Sequence, residues 1–169
     1  MNILQDFTTK EFWRNGNHKR FIIVHHTASN PKTTLARIVA YFKIPDDKSV
    51  HYVVGKDGKM VQMVRDQDRA WHCGRSQWKE YQNLNHWSIG IEVLSDGYQY
   101  TDAQREAVIE LCAFLCQTYC ISIDNILRHA DIALPKGRKW DIGPKFFDKY
   151  GSWKGFQDAV LEKIKKLKF

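Results

Sequence analysis

The chain has no apolar run long enough to cross a bilayer, so no membrane-spanning helix is expected. Its first residues, MNILQDFTTKEFWRNGN, have no basic start, continuous apolar segment or small-residue cleavage site. The expectation is therefore a soluble chain made in the cytoplasm without a signal peptide and without membrane insertion. There is no internal repeat, linker or second module. Cysteine is scarce. Cys112, Cys116 and Cys120 recur every four residues, the spacing of one helix stripe. A single helix face cannot surround an ion tetrahedrally, so buried thiols facing the core are expected there, not a metal cluster or a disulfide. Cys73 stands apart. What is present is 169 residues, the usual size of one compact domain and monomer, with 43% hydrophobic residues to build its core. A formal charge of +7 predicts attraction to polyanions, whether nucleic acid, anionic lipid or acidic envelope polymers.

Residues 20–26, RFIIVHH, form a short β-branched run that predicts a buried strand with its histidines at the exit. Leu35, Ile38, Val39 and Phe42 then recur at helical spacing, and Pro45 with Asp46 and Asp47 closes that segment. Residues 51–54 and 60–64 flank GKDGK, the pattern of a hairpin. From Arg65 to Trp87 no period survives, so a long functional loop is expected. SIGIEVL, residues 88–94, reads as a strand with Glu92 inside an apolar run. Thr101 and Gln104 make a capping box before a long helix whose buried stripe is Val108, Leu111, Cys112, Leu115 and Tyr119. After the brief apolar segment 126–129 comes an irregular stretch to Pro144. A last helix, about 152–168, turns Trp153, Phe156, Val160, Ile164 and Leu167 inward and Lys154, Lys163, Lys165, Lys166 and Lys168 outward. Strands separated by helices, plus one hairpin, predict a single α/β domain over 1–169 with a mixed central β-sheet flanked by α-helices.

In such sheets ligands gather at strand ends. Histidine is the commonest zinc ligand, and a catalytic zinc usually takes three protein ligands while water fills the fourth position. The chain offers His25 or His26 at one strand end, His129 at another and Asp141 in the following loop. Adjacent strand residues point to opposite faces, so only one of His25 and His26 can face such a site, and the pattern alone leaves that choice open.

Five segments resemble the type 2 N-acetylmuramoyl-L-alanine amidases, a superfamily that includes bacterial cell-wall recycling amidases, small phage lysozyme-like amidases and animal peptidoglycan recognition proteins. They are IIVHHTAS (22–29), HYVVGKDGKMVQMV (51–64), AWHCG (70–74), NHWSIGIEV (85–93) and RHADIALPKGRKWDIGP (128–144), in the family's order and covering most of 21–144. The resemblance implies one zinc ion held by His25, His129 and Asp141, with His26 packing structurally. It is strongest to the recycling amidases, and implies Glu92 and Lys139 as catalytic residues. Phage and recognition-protein relatives carry a tyrosine just before the second motif, where this chain has Val50. A mechanism relying on that tyrosine is therefore not expected.

An amide resists water because its carbonyl is a poor electrophile and water a poor nucleophile. Zinc remedies both, lowering the pKa of bound water to about 7. Glu92 is the candidate general base, since a carboxylate inside an apolar strand needs a reason. Lys139 is the candidate partner of the developing oxyanion. Trp71, His72, Asn85 and Arg138 are candidate substrate contacts by stacking, hydrogen bonding and carboxylate pairing. The expected activity is zinc-dependent hydrolysis of the bond between N-acetylmuramic acid and L-alanine in peptidoglycan or muropeptides. The basic surface favours a phage endolysin released by a holin over a cytoplasmic recycling enzyme. A non-catalytic peptidoglycan binder would not need Glu92 and Lys139, and no specific nucleic-acid motif accompanies the charge.

Overall fold

The computed structural model describes residues 2–8, 12–44 and 48–167. Its strands are β1 (Ile3–Gln5), β2 (Phe12–Trp13), β3 (Phe21–His26), β4 (Tyr52–Val54), β5 (Met60–Gln62), β6 (Arg69–Ala70), β7 (Gln77–Trp78), β8 (Tyr81–Gln82), β9 (Ser88–Val93) and β10 (Ile126–Arg128). Its helices are α1 (Leu35–Tyr41), α2 (Asp102–Tyr119), α3 (His129–Ile132), α4 (Pro144–Phe147) and α5 (Trp153–Leu167).

The two longest apolar strands pair at the middle of a six-stranded sheet of order β1-β5-β4-β9-β3-β10. Only the β4–β5 hairpin is antiparallel; β4, β9, β3 and β10 run parallel, so their carboxyl ends share one edge. Cross-strand register then separates two faces. Ile22, Val24 and His26 lie opposite Ile89, Ile91 and Val93, while Phe21, Ile23 and His25 lie opposite Ser88, Gly90 and Glu92. The first set packs with Val108, Leu111, Leu115, Phe156 and Val160 from α2 and α5. On the other face Phe21 and Ile23 meet Leu84, Leu127 and Ile132, and α1 covers Val53 and Val61 with Ile38 and Val39. Covered on both sides, β3 is buried along its whole length, which is why it reads as continuous β-branched sequence.

The capping box is present as expected. Thr101 Oγ1 accepts from the Gln104 amide at 3.1 Å and Gln104 Oε1 from the Thr101 amide at 3.0 Å. Gln104 Nε2 also donates to the Leu94 carbonyl at 2.7 Å, tying the start of α2 to the exit of β9.

Four expectations need correction or limit. Cys112 and Cys116 are buried, but Cys120 is exposed, because the helix ends there in a left-handed residue (φ 54°). Leu167 is 52% exposed at the tip of α5, beyond the body it would pack against. The stretch 65–87 is not structureless, since β6 pairs with β2 and β7 with β8. The helix stop at Pro45, Asp46 and Asp47, and the outward Lys168, lie outside the described residues. Edge strand β1, parallel to β5, carried no sequence signal.

Candidate active site

At the shared carboxyl edge three donor atoms converge. His25 Nδ1 lies 2.9 Å from His129 Nδ1, His129 Nδ1 lies 2.9 Å from Asp141 Oδ2, and His25 Nδ1 lies 3.4 Å from the same oxygen. Metal–ligand bonds of 2.0–2.1 Å at a tetrahedral angle separate donors by about 3.3 Å. The three atoms therefore fit a single ion to within a few tenths of an ångström, and all three residues are buried.

Each donor is held by a different part of the fold. His25 is the penultimate residue of β3 and lies on the same face as Glu92, so of the two adjacent histidines it is the one that meets His129 and Asp141. His26 takes the opposite face, where its Nδ1 meets Tyr100 Oη at 2.9 Å and its ring packs against Trp140. His129 follows β10 and opens α3, and its Nε2 donates to the Cys73 carbonyl at 3.0 Å, leaving Nδ1 to face His25 and Asp141. Asp141 is fixed through its main chain, whose carbonyl accepts from the Ala130 amide at 2.5 Å. Burial opposes the Asp141 charge, but the His129 and His25 rings set against its Oδ2 outweigh it and hold the carboxyl well below the usual range. Burial, then the neighbouring His129, lowers His25 to about 4, so its imidazole is neutral at physiological pH.

Glu92 borders the same cleft, a cavity of about 390 Å³ also lined by Lys139, Trp140 and Asp141. Its Oε2 is buried without a hydrogen-bond partner. Burial and then the Asp141 charge push its carboxyl up to about 8, against Lys139, which draws it down. A half-buried carboxyl whose buried oxygen lacks a partner and which is poised near neutrality suits proton transfer. Lys139 is exposed on the cleft wall.

Trp71 and Arg138 line this cleft and an adjoining cavity of about 570 Å³. Arg138 donates to the Leu134 carbonyl at 2.7 Å, and to those of Arg75 and Cys73 at 3.0 and 3.2 Å. The Trp71 ring rests on the Arg69 guanidinium, itself sandwiched by Trp13. His72 and Asn85 line the second cavity as well, and they also brace its wall. Asn85 Oδ1 accepts from the amides of His72 and Cys73 at 3.0 and 2.8 Å. His72 Nδ1 faces His25 Nε2 at 2.9 Å, and its Nε2 faces Ser88 Oγ at 3.3 Å, which donates to the Leu84 carbonyl at 2.6 Å. A Cβ on Gly90 would come within 2.5 Å of His72 Nδ1, so glycine leaves the space this ring fills. Gly97 does the same for Trp140 and His26, with φ +92° and a Cβ that would fall 2.1 Å from the indole. These supports escape sequence reasoning because each joins residues far apart in the chain.

A family model described as N-acetylmuramoyl-L-alanine amidase matches residues 15–144. The chain belongs to that amidase family. The matched segment holds His25, Glu92, His129, Lys139 and Asp141, while α5 lies outside it. This amidase-family chain is 35% identical over 147 residues to the N-acetylmuramoyl-L-alanine amidase AmiD of Escherichia coli, covering 75% of this chain and 50% of AmiD. It is 41% identical over 99 residues to the 1,6-anhydro-N-acetylmuramyl-L-alanine amidase AmpD of Enterobacter cloacae, covering 58% of this chain and 52% of AmpD. The chain thus spans about half the length of these relatives. A crystal structure of a selenomethionine AmpD derivative superposes with a TM-score of 0.78 at 26% identity, covering 93% of each chain. The structure of E. coli AmiD bound to its substrate anhydro-N-acetylmuramic acid-L-Ala-D-γ-Glu-L-Lys superposes with a TM-score of 0.71 at 29% identity, over 84% of this chain and 57% of that one.

Proposed function

We propose that the chain is a zinc amidase that cleaves the bond between the N-acetylmuramoyl lactyl group and the first L-alanine of the stem peptide, acting on soluble anhydro-muropeptides. The convergence of His25 Nδ1, His129 Nδ1 and Asp141 Oδ2 beside the partnerless Glu92 Oε2 carries this reading. Likeness to the 1,6-anhydro-N-acetylmuramyl-L-alanine amidase AmpD, and to AmiD in complex with an anhydromuramyl tripeptide substrate, supports the small substrate.

Zinc held by His25, His129 and Asp141 would polarise the scissile carbonyl and acidify water at the site, taking its pKa from 15.7 toward about 7. Glu92 Oε2 takes the proton from the attacking water and delivers it to the departing alanine nitrogen, which a carboxyl poised near neutrality can do in both directions. Lys139 Nζ, on the cleft wall, stands against the negative oxygen of the tetrahedral intermediate, where one donor is worth about 10²–10³ in rate. Trp71, stiffened by the Arg69 guanidinium, offers a face for the sugar or peptide. Arg138 remains a candidate for a stem carboxylate through the guanidinium edge it does not spend on carbonyls. His72 and Asn85 serve the ion by orienting the residues around it.

The second reading is a lytic enzyme acting on intact wall as a phage endolysin does, and the charge of +7 is the observation favouring it. Purified protein should be offered soluble anhydromuramyl peptide and intact sacculi side by side, with bound zinc measured and a strong chelator as control. Release of the L-alanine-terminated peptide, faster from the soluble substrate and abolished by the chelator, is expected. Undiminished turnover by metal-free protein would sink the amidase proposal, and a preference for sacculi would transfer the role to lysis.

A further inference from the structure

The cleft that holds the donor triad and Glu92 is built from two unlike sets of side chains. Ile38, Tyr41, Phe42 and Trp140 line this cleft and not the adjoining cavity, whereas Lys48, Arg138 and Lys139 line both, and the second cavity continues to Gly74 and Asn85. The proposed substrate has a matching polarity. Its scissile amide joins an uncharged N-acetylated pyranose, through the lactyl group, to a peptide carrying free carboxylates. Charge complementarity sends the peptide toward the arginine and lysines and leaves the sugar at the aromatic end. We propose that Trp140, extended outward by Tyr98, is the platform on which the substrate's glycan lies, and that it makes the chain select muropeptides that keep the sugar linked to muramic acid. The inference rests on the amidase reading for the chemistry of its ligand.

Packing holds the indole still while leaving half of it open. Trp140 is 50% exposed, yet its six-membered ring is seated between two glycines. A Cβ on Gly97 would overlap Cη2, and one on Gly143 would touch Cε3 at 3.4 Å. His26 braces the same ring in an edge-to-face arrangement, with centroids 4.2 Å apart. Tyr98, 68% exposed, continues the surface beyond the cleft, its ring centred 5.6 Å from that of Trp140 and tilted 37° to it. The loop beneath Tyr98 is fixed by its own hydrogen bonds. Asp96 Oδ1 accepts from the Tyr98 and Gln99 amides, both at 2.9 Å. Ser95 Oγ accepts from the Gly97 amide at 2.9 Å and donates to the Gln99 carbonyl at 2.8 Å.

Core packing calls for neither the exposure of these two rings nor their pairing, and a contiguous apolar surface beside a polar cleft marks a ligand contact. A pyranose is the part of the substrate that fits it. The C–H groups on one face of the sugar carry a small positive charge and meet the negative face of an aromatic ring. A platform ordered before the sugar arrives also loses little entropy on binding. Trp140 lies between Lys139 and Asp141 in the chain, so a sugar resting on it is brought close to the donor triad. Tyr98 lies farther out, where the next sugar of the glycan would follow.

One readout needs no turnover. In a proton–nitrogen correlation spectrum, the indole resonance missing from Trp140→Phe identifies Trp140. That resonance should move when the parent is titrated with N-acetylglucosaminyl-N-acetylmuramic acid whose lactyl carboxyl is capped as the N-methylamide, an uncharged glycan without stem peptide. A shift confined to other tryptophans, or none, overturns the platform whether or not the chain is an amidase. Kinetics supply the second readout, on stem tripeptide attached to the disaccharide or to muramic acid alone. Trp140→Ala should raise KM about five- to tenfold and change kcat less than KM, with bound zinc at the parent level. Tyr98→Ala, on an exposed loop that tolerates truncation, should raise KM for the disaccharide substrate about two- to threefold more than for the other. Loss of zinc from Trp140→Ala, with kcat falling as far as kcat/KM, would make the indole a support for Asp141 and overturn the platform. Equal effects of Tyr98→Ala on the two substrates would overturn the glycan preference. A parent that cleaves neither substrate defeats the amidase reading, and the spectral titration then still decides the platform.

Discussion

Two buried polar clusters sit against the sheet, and they differ in where their protons can go. Around Asp66 every acceptor has a donor. Asp66 Oδ1 accepts from Tyr52 Oη at 2.7 Å and from Gln62 Nε2 at 3.1 Å, and Oδ2 accepts from Tyr119 Oη at 2.8 Å. At the carboxyl edge, His25 Nδ1, His129 Nδ1 and Asp141 Oδ2 crowd together as acceptors while their available N–H groups face outward to His72 and Cys73, and Glu92 Oε2 has no partner. A complementary cluster is complete without anything added, whereas converging lone pairs need a cation. That contrast separates a structural network from a site more reliably than burial does, since both are buried.

The largest test removes the partnerless carboxylate. Glu92→Gln keeps size and polarity but can no longer take a proton, and general-base losses of about 10²–10⁴ in kcat are expected. Zinc content should stay at the parent level, because Glu92 is not among the converging donors. Parent-like kcat, measured by release of L-alanine-terminated peptide, would remove it as the base.

The other cluster should respond in the opposite currency. Asp66→Asn replaces one acceptor oxygen with an amide that must face a tyrosine hydroxyl, a buried mismatch costing about 1–3 kcal/mol. Urea denaturation should register that loss while turnover per folded molecule and zinc content stay near the parent's. A large fall in kcat with unchanged stability would break the division between the two clusters.

The division was only partly legible in the sequence. The β-branched run of β3, the apolar run around Glu92 and the capping box at Thr101 are local patterns, and each appears in the structure as an element within a residue or two of the expected ends. The choice of His25 over His26 needed either family likeness or the register that sets His25 beside Glu92, because alternation says that neighbours part without saying which one faces the site. The brace from Asn85, the space beside Gly90 and the stack of Arg69 between Trp13 and Trp71 were invisible, since none is a pattern along the chain. Cys120 fooled the periodicity because a stripe continues in sequence past the residue where the helix stops.

The smallest effect is a pH dependence confined to one cluster. In metal-free protein Glu92 has a folded-state pKa raised from 4.5 to about 8, so the folded chain holds this proton where the unfolded chain has lost it. Stability from this group is therefore full below pH about 4.5 and falls as pH rises, levelling above pH about 8. The open cleft screens the charge, so a decline of about 1–2 kcal/mol between pH 6 and 8 is expected instead of the full linkage value. Burial lowers His25, His51 and His72, and because unfolded imidazoles take up protons near pH 6.5 these groups add a rise of stability with pH that the parent and the Glu92 variant share. Denaturation of chelator-treated parent and Glu92→Gln at pH 6, 7 and 8 isolates the carboxyl. The difference between the two proteins should shift in favour of the glutamine variant as pH rises, and zinc should reduce it, because a cation at the neighbouring donors stabilises the Glu92 anion. A difference independent of pH would mean that Glu92 is ionised at neutrality even without metal, and that its missing hydrogen bond is supplied by water from the cleft.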